Sequence, residues 1–167
     1  MLRNAITEDA QRIAEIHIRT WQVAYAGIMP GEHLASLSIE TRTENWRKML
    51  SQSPNNTLVA EENDTITGWI SYGPCRDEDD ADKGEVYAIY ILPEYWGQGY
   101  GEALLTQAET NLQRLGYQVV TLWVLEDNHR ARRFYENRGY QPDGKTQEDH
   151  QDNVTLLELR YASASKQ

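Results

Sequence analysis

Three glycines at alternate positions, Gly97, Gly99 and Gly101, lie between an apolar run and a helical pattern and have the spacing of a ligand-binding loop. A helix N-terminus offers unpaired N–H groups and a partial positive charge, which together suit a phosphate. Glycines also let the backbone approach a ligand closely and adopt positive φ angles. The loop therefore indicates either a diphosphate held by main-chain donors or a tight strand-to-helix turn that needs glycine for its geometry.

Two nucleotide-binding motifs compete for this loop. A Walker loop ends in Gly-Lys-Ser/Thr, whereas Gly101 is followed by Glu102 and Ala103. A dinucleotide fingerprint needs glycine at position 102 and a first strand near the start of the domain, whereas this loop lies past the midpoint of the chain. The acids Glu126-Asp127 follow a predicted strand where a ribose-binding acid would lie, so the dinucleotide alternative stays open.

The other reactive side chains do not form a metal or nucleophile pattern. The histidines, at positions 17, 33, 129 and 150, lack metal-ligand spacing, so no metal is expected. His17 lies one helical turn before Trp21 and could reach an acceptor pocket. Cys75 is the single cysteine, which favours a reducing cytoplasm, and an acidic neighbourhood disfavours its thiolate as a nucleophile.

Composition and charge exclude several classes of partner. The formal net charge of −10 argues against nucleic acid and anionic membranes, both of which require basic surface. No apolar run approaches the roughly 20 residues needed to cross a bilayer, and the N-terminus lacks a signal-peptide pattern. The 167 residues fit one domain, predicted over residues 1–162, with a frayed tail at 163–167.

The elements that must position the loop are predicted from apolar periodicity. Helices are expected from Thr7, the predicted N-cap, to a break at residues 27–31, from Ile39 to Leu50, from the glycine loop to Gly116 and from Asn128 to Gly139. Strands are expected at Thr57–Glu62, Ile66–Tyr72, Glu85–Leu92, Val119–Leu125, near Tyr140 and at Val154–Tyr161, with a hairpin turn at Asn63-Asp64. This order implies a mixed α/β sheet with helices on both faces.

An acidic segment separates the hairpin from the next strand. Its acids are Asp77, Glu78, Asp79, Asp80 and Asp82. We interpret the segment as a solvated surface turn in preference to a loop that binds a cationic acceptor.

The residues around the glycine loop resemble a known family. The run Tyr90–Leu105 is similar to the acetyl-CoA motif of the GNAT superfamily of N-acetyltransferases, in which a strand ending near proline leads through Gln/Arg-x-x-Gly-x-Gly/Ala into a helix. Similar residues continue at Leu122-Trp123-Val124, Asn128, Ala131, Phe134-Tyr135 and Gly139-Tyr140, and on the N-terminal side at His17, Trp21, Tyr25, Gly27, Ile28 and Pro30. In this form the resemblance covers residues 1 to about 161.

The resemblance implies an α/β fold of the GNAT acyl-CoA N-acyltransferase type, with a central mixed β-sheet flanked by helices on both faces. It implies acetyl-CoA as acyl donor and an amine as acceptor, and a homodimer is compatible with it. Trp96 departs from the motif, which usually carries Gln or Arg at this position. Cofactor affinity is therefore expected to depend more on the backbone of the loop.

The family pattern also implies roles for the binding residues. Backbone groups of Ile89 and Ile91 would pair with the pantetheine amides. The loop from Trp96 through Gly97, Gln98, Gly99, Tyr100 and Gly101 to Glu102 would hold the diphosphate with its N–H groups. Asn128 would contact the pantetheine arm where two parallel strands splay apart, and Tyr135 would lie near the thioester sulfur.

Acyl transfer to an amine requires a neutral nucleophile, a stabilised oxyanion and a proton for the leaving thiolate. Tyr135 is the candidate acid, and its alternative role is core packing beside Phe134. The oxyanion would bind a backbone N–H of Tyr90 or Ile91 where the strand bulges.

Glu85 is the candidate base of the reaction, and ordered water is the alternative. Its spacing from the glycine loop is similar to that of the glutamate base in histone-acetylating members of the family. Strand alternation places its side chain on one face with Tyr87, Ile89 and Ile91.

The acceptor pocket is expected to present aromatic faces to an amine. Trp21, Tyr25 and Tyr87 are the candidate substrate residues, with Trp69 and Tyr72 as further lining. The predicted activity is transfer of acetyl from acetyl-CoA to a primary amine of a small molecule or protein by direct attack. A non-catalytic acyl-CoA-binding sensor or interaction module on the same scaffold is the alternative, and a nucleotide-dependent enzyme is a third hypothesis.

Overall fold

The computed structural model describes residues 1–28, 31, 38–151 and 154–164, apart from the side chains of Asp79 and Gln151. The remainder of the predicted break at 27–31, together with His33, lies outside the described residues. Within them no helix is both long and apolar enough to pass through a lipid bilayer.

The N-terminal helix begins later than predicted. A 3-10 turn at Thr7–Asp9 leads into helix α1, Ala10–Ala24. The predicted N-cap at Thr7 is wrong, because Thr7 is the first residue of the turn and Ile6 is its N-cap. The Asp9 carboxylate accepts the Ile6 N–H (2.8 Å) and also pairs with Arg3 (2.8 Å). Helix α2, Ile39–Gln52, begins after Ser38, whose hydroxyl accepts the Thr41 N–H.

In the described part of the chain, seven strands form a mixed sheet at the centre of the fold, in the order β1-β2-β3-β4-β5-β7-β6. The strands are β1 Leu2–Asn4, β2 Thr57–Glu62, β3 Thr65–Pro74, β4 Gly84–Ile91, β5 Val120–Leu125, β6 Gln141–Gln151 and β7 Val154–Ala162. The β2–β3 turn is the predicted one, and Asn63 and Asp64 both take positive φ angles (52° and 65°) as a two-residue hairpin requires.

The parallel strands β4 and β5 separate after three paired residues. Strand β4 pairs with β5 only over Gly84–Val86 and Val120–Leu122, although β4 continues to Ile91 and β5 to Leu125. Helix α3, Tyr100–Arg114, connects the two strands, and α4, His129–Glu136, follows β5. The divergence opens a gap inside the sheet rather than at its edge.

Helices cover both faces of the sheet, as predicted. On one face, Leu104 and Leu112 of α3 pack with Val86 and Leu122. On the other, helices α1 and α2 pack against β2 and β3 through residues that include Ile13, Trp46, Val59 and Trp69. The gap between β4 and β5 therefore lies where the two helical layers can each contribute side chains.

The acidic segment after β3 is not the solvated turn that was predicted. Arg160 of β7 is only 2% exposed and donates to Asp143 (2.6 Å), Asp80 (2.5 Å) and Asp77 (3.2 Å). Asp80 also pairs with Lys145 (2.7 Å), and these cations hold the pKa of its carboxyl below the usual range. The acids thus fasten the β3–β4 loop to β6 and β7.

The described part of the C-terminal tail is anchored at its start. The Ser163 N–H donates to the Val120 carbonyl (2.9 Å), and the Val120 N–H donates to the Ser163 hydroxyl (2.9 Å). Ser163 therefore extends the pairing of β7 with β5, although the predicted tail included it. Residues 165–167 of that tail lie outside the described residues.

Candidate active site

A cleft of about 830 Å³ occupies the gap between β4 and β5 and reaches both sides of the sheet. The glycine loop and helix α4 line one end, which we call the donor end. Trp21, Tyr25, Asp149 and Glu158 line the other end, which we call the acceptor end. A molecule bound at the donor end can therefore meet a second molecule arriving from the opposite face.

The glycine loop is built to present N–H groups at the donor end. Gly97 and Gly99 have φ angles of +76° and +89°, and a side-chain carbon at either position would meet no atom within 4 Å. The first helical hydrogen bond of α3 runs from the Ala103 N–H to the Gly99 carbonyl (3.0 Å), and Gly99 provides no side-chain cap. The N–H groups of Tyr100–Glu102 precede that bond, which leaves them for an anion.

Strand β4 turns part of its backbone toward the cleft. The Leu92 N–H donates to Thr67 of β3 (2.9 Å), so alternation directs the backbone groups of Ile89 and Ile91 away from β3 and toward the gap. The indole N–H of Trp96 already donates to the Ile91 carbonyl (2.7 Å). The same alternation directs the Tyr90 N–H toward β3, so of the two expected oxyanion donors only Ile91 faces the cleft.

A bulge in β4 changes which side chains share a face. The pairing register with β3 shifts between Ser71 and Tyr72, which leaves Tyr87 without an opposite residue. As a result Val86 packs in the same core as Ile89, although the two differ in parity. The bulge lies four residues before Ile91, nearer the start of the strand than the oxyanion hypothesis assumed.

The bulge overturns the predicted placement of Glu85. Its side chain was expected on one face with Ile89 and Ile91, but it lies opposite Val86 and therefore on the other face of the sheet. Glu85 is 1% exposed and does not line the cleft. Both carboxylate oxygens accept from Arg76, one from the backbone N–H (2.9 Å) and one from the guanidinium (2.7 Å).

Tyr135 lies on α4 at the centre of the cleft wall. Its ring packs against those of Phe134 and Tyr140 (centroids 5.4 and 6.1 Å apart), so the packing role and the cleft-lining role coexist. Burial, and to a lesser extent Tyr25, raises the pKa of the phenol well above its usual value. The hydroxyl therefore keeps its proton at neutral pH and can donate it.

Asn128 joins the two ends of the cleft. Its side-chain oxygen accepts the Ala131 N–H (3.2 Å) and caps α4, while its amide also hydrogen-bonds the Tyr25 hydroxyl. Tyr25 hydrogen-bonds Tyr90 in turn, and the Trp21 indole donates to Tyr90 (2.5 Å). The predicted residues Trp21, Tyr25 and Asn128 are thus brought together in one network that lines the cleft.

Tyr87, the third predicted substrate residue, lines the cleft farther along β4. Its hydroxyl donates to the Pro74 carbonyl (2.5 Å), and the Arg76 guanidinium lies over its ring (4.3 Å to the centroid). Burial raises the pKa of Tyr87 to about 12. The phenol is therefore neutral and already engaged, and it forms part of the wall.

Two carboxylates that the sequence prediction missed lie at the acceptor end. Glu158 of β7 accepts from the Gln147 amide (2.9 Å), and both residues line the cleft with Asp149. Burial raises the pKa of Glu158, and the charge of Asp149 raises it further. Strand alternation could have indicated Glu158, because Leu156, Glu158 and Arg160 share one face of β7 and interrupt an apolar pattern with charge.

Several residues considered for the acceptor pocket belong to the core instead. Trp69 is fully buried and donates to the Ile13 carbonyl (3.2 Å), and Tyr72 is 3% exposed on the opposite face of the sheet. Cys75 is buried beside the Thr121 hydroxyl (3.5 Å), away from the cleft. Among the described residues no group of three His, Cys, Asp or Glu side chains could hold a metal ion.

His17 is partly buried behind the cleft wall and is not one of the residues that line the cleft. Its ring lies 5.0 Å from that of Tyr90 and 5.5 Å from that of Trp21. Burial, with the charge of Arg42, lowers the pKa of His17 to about 3. Its Nδ1 atom has no hydrogen-bond partner in the part of the chain that the structure describes.

Comparisons with known proteins agree with this geometry. The profile of the acetyltransferase (GNAT) family matches residues 11–140. The "Uncharacterized N-acetyltransferase YuaI" of Bacillus subtilis is 36% identical over 128 residues, which are 76% of this chain and 72% of that protein. The spermidine N(1)-acetyltransferase of Thermoplasma acidophilum is 27% identical over 167 residues, covering 97% of this chain and 98% of its own.

A solved structure is similar over nearly the whole chain. The PaiA N-acetyltransferase of Thermoplasma acidophilum, crystallised in complex with coenzyme A, has a TM-score of 0.75 and 24% sequence identity. The similarity covers 98% of this chain and 97% of that one. It shows that the two proteins share a fold.

Proposed function

This chain belongs to the acetyltransferase (GNAT) family, and from that premise we propose that it transfers an acetyl group from acetyl-CoA to a primary amine by direct attack. The observation that carries the proposal is the continuous cleft between β4 and β5, with a loop suited to phosphate at one end and a chamber lined by side chains at the other. A sensor of acyl-CoA would need the donor end alone.

The residues at the donor end fit acetyl-CoA. The loop offers N–H groups and open space before Gly97 and Gly99, which suits a diphosphate. The backbone of Ile89 and Ile91 is free of β3 and would pair with the pantetheine amides, although the Ile91 carbonyl already shares one acceptor position with Trp96. When bound, acetyl-CoA supplies the activated acetyl thioester.

Tyr135 is assigned as the general acid. Its phenol lines the cleft and stays protonated because burial raises its pKa. Among the described residues, no hydrogen bond already engages the hydroxyl. It donates its proton to the sulfur of the departing thiolate. The Ile91 N–H, directed into the gap by strand alternation, stabilises the oxyanion that develops on the acetyl oxygen.

Glu158 is assigned as the group that accepts the proton of the amine. It lines the acceptor end, and its burial raises the pKa of the carboxyl toward the working range of a base. Glu85, the candidate from sequence, has both oxygens engaged by Arg76 and lies outside the cleft. We assign it a positioning role, because it holds Arg76 against the Tyr87 ring.

The acceptor that suits this end of the cleft is a primary amine with further positive charge. Asp149 and Glu158 place two carboxylates beside the aromatic rings of Trp21 and Tyr25. Aromatic faces and carboxylates both attract ammonium groups. One relative is named a spermidine acetyltransferase, which supports a polyamine as the first acceptor to test.

Release of free thiol from acetyl-CoA in the presence of single amines tests the proposal. Spermidine is compared with a neutral monoamine and with a peptide that has a free α-amine. Tyr135→Phe should lower kcat about a hundredfold, in the range of general acid catalysis, while leaving the Kd of CoA within about twofold. Binding of CoA without thiol release for any amine would favour the sensor, and an unchanged kcat in Tyr135→Phe would remove the acid role.

A further inference from the structure

Position 96 is where the glycine loop departs from its family, and the structure shows what the departure does. The Trp96 indole donates to the Ile91 carbonyl (2.7 Å), which fixes the plane of its ring at the entrance of the loop. The guanidinium of Arg130 lies over that ring with its central carbon 3.5 Å from the centroid. Trp96, Gly97, Gly99 and Arg130 all line the donor end of the cleft.

Two of the other arginines in this part of the chain already bind other protein groups. Arg132 donates to the Tyr161 hydroxyl (2.9 Å) and to the Glu126 carbonyl (2.9 Å), and Arg138 pairs with Glu102. The Arg130 guanidinium stacks on Trp96 and has no hydrogen bond or ion pair among the described residues. Stacking leaves the five N–H groups at the edge of the guanidinium plane, where they can still donate.

The charge distribution of the chain also points to an anion at this place. Four of its arginines lie within nine residues, at positions 130, 132, 133 and 138, in a protein whose net charge is −10. A basic helix beside a loop of unpaired N–H groups attracts phosphate through charge as well as through hydrogen bonds.

We propose that Arg130, held flat on Trp96, binds the diphosphate of the acyl-CoA donor, so that a stacked pair from two elements replaces the single polar residue usual at position 96. The assignment rests on the proposed function, because it takes acyl-CoA as the ligand. Trp96 is a positioning residue in this arrangement. Stacking on Trp96 restricts the Arg130 side chain before the ligand arrives. Less conformational entropy is therefore lost when Arg130 binds the diphosphate.

Calorimetric titration with CoA and with 3′-dephospho-CoA tests the pair. Arg130→Gln should raise the Kd of both ligands roughly tenfold, as expected for loss of a charge-assisted hydrogen bond to phosphate. Arg130→Lys should recover only part of the loss, because an ammonium neither stacks nor donates in a fork. Trp96→Leu should also raise the Kd of CoA. In the double variant, the increase in Kd should be smaller than the product of the increases in the two single variants.

The matched control is Arg114→Gln, which removes the same charge from an exposed position in the last turn of α3. It should bind CoA within twofold of the original protein. S-acetylpantetheine, which has no diphosphate, should be used by Arg130→Gln with an unchanged kcat/KM. Circular dichroism and melting temperature verify that each variant is folded.

Four outcomes would overturn the inference. Affinity for CoA within twofold of the original in Arg130→Gln removes the contact, and an equal loss with S-acetylpantetheine shows a general effect on the cleft. A loss with CoA that disappears with 3′-dephospho-CoA moves the contact to the 3′-phosphate and contradicts the diphosphate assignment. If the unaltered protein fails to bind CoA, the proposed function falls with the inference, whereas a loss confined to the variants leaves the function standing.

Discussion

The two ends of the cleft solve their recognition problems by different means. The donor end uses main-chain N–H groups and two glycines with positive φ, all within the seven residues from Trp96 to Glu102. The acceptor end assembles side chains that are distant in sequence, because Trp21 and Tyr25 lie more than 120 residues before Asp149 and Glu158. Backbone recognition suits a ligand that every family member binds, whereas side-chain recognition lets each member choose its own acceptor.

The difference has an electrostatic counterpart. Arginines 130, 133 and 138 line the donor end, and Asp149 and Glu158 line the acceptor end. An anionic donor and a cationic amine would therefore each be guided to its own entrance. Asn128 contacts both parts, since it caps α4 and hydrogen-bonds Tyr25.

The largest effect is expected from a variant that disrupts the donor end alone. Gly99→Ala should raise the Kd of CoA about a hundredfold, because alanine at a φ of +89° forces the loop to rearrange and misdirects several N–H donors, each worth about 1.5–3 kcal/mol to a charged ligand. Titration calorimetry measures the change. The melting temperature should fall only slightly.

Gly116→Ala is the matched control for backbone strain. Gly116 has a φ of +100° at the end of α3, with no atom within 4 Å of an added side-chain carbon. It should lower stability about as much as Gly99→Ala but leave CoA affinity unchanged. Equal losses of affinity in the two variants would contradict the role assigned to the loop.

The difference between a donor end built from one local segment and an acceptor end built from distant segments also explains which parts of the site could be predicted from the sequence. The loop, α3, the cap Asn128 and α4 follow from local patterns of glycine, capping and apolar spacing, and the family motif covers these same residues. The bulge at Tyr87 has no local signal, because it depends on how β3 and β4 pair, and it moved Glu85 to the other face. Glu158 reaches the cleft through the pairing of β7 with the distant strand β5, and Asp149 reaches it through the β6–β7 hairpin.

A smaller effect should appear in stability and belongs to the acceptor side. His17 supports the wall formed by Trp21 and Tyr90, and its native pKa of about 3 lies below the unfolded value of about 6.5. Below pH 6.5 the unfolded chain binds a proton that the native protein excludes. The free energy of unfolding should therefore fall by about 1.4 kcal/mol per pH unit, or about 2 kcal/mol between pH 7 and pH 5.

Urea unfolding of His17→Phe over this range measures that contribution. The variant should lose most of the slope that His17 causes, whereas His150→Gln should retain it, because His150 is exposed on β6. Equal slopes in the original protein and His17→Phe would show that the imidazole is solvated. The affinity for CoA should stay nearly constant over the same range, since neither the backbone N–H groups nor the Arg130 guanidinium of the donor end loses a proton there.

The smallest effect concerns the base and decides between the two candidate carboxylates. Glu158→Gln should lower kcat/KM for a cationic amine about tenfold, with little change in the Kd of CoA, because only the acceptor end loses its proton acceptor. The acidic limb of the pH–rate profile, which reports a carboxyl with a raised pKa, should also disappear. Glu148→Gln removes the same charge from an exposed neighbouring position of β6 and should leave the profile intact. If Glu85→Gln abolishes the acidic limb while Glu158→Gln preserves it, the base is the residue held by Arg76. The acceptor end would then extend through the β4 bulge toward the opposite side of the sheet.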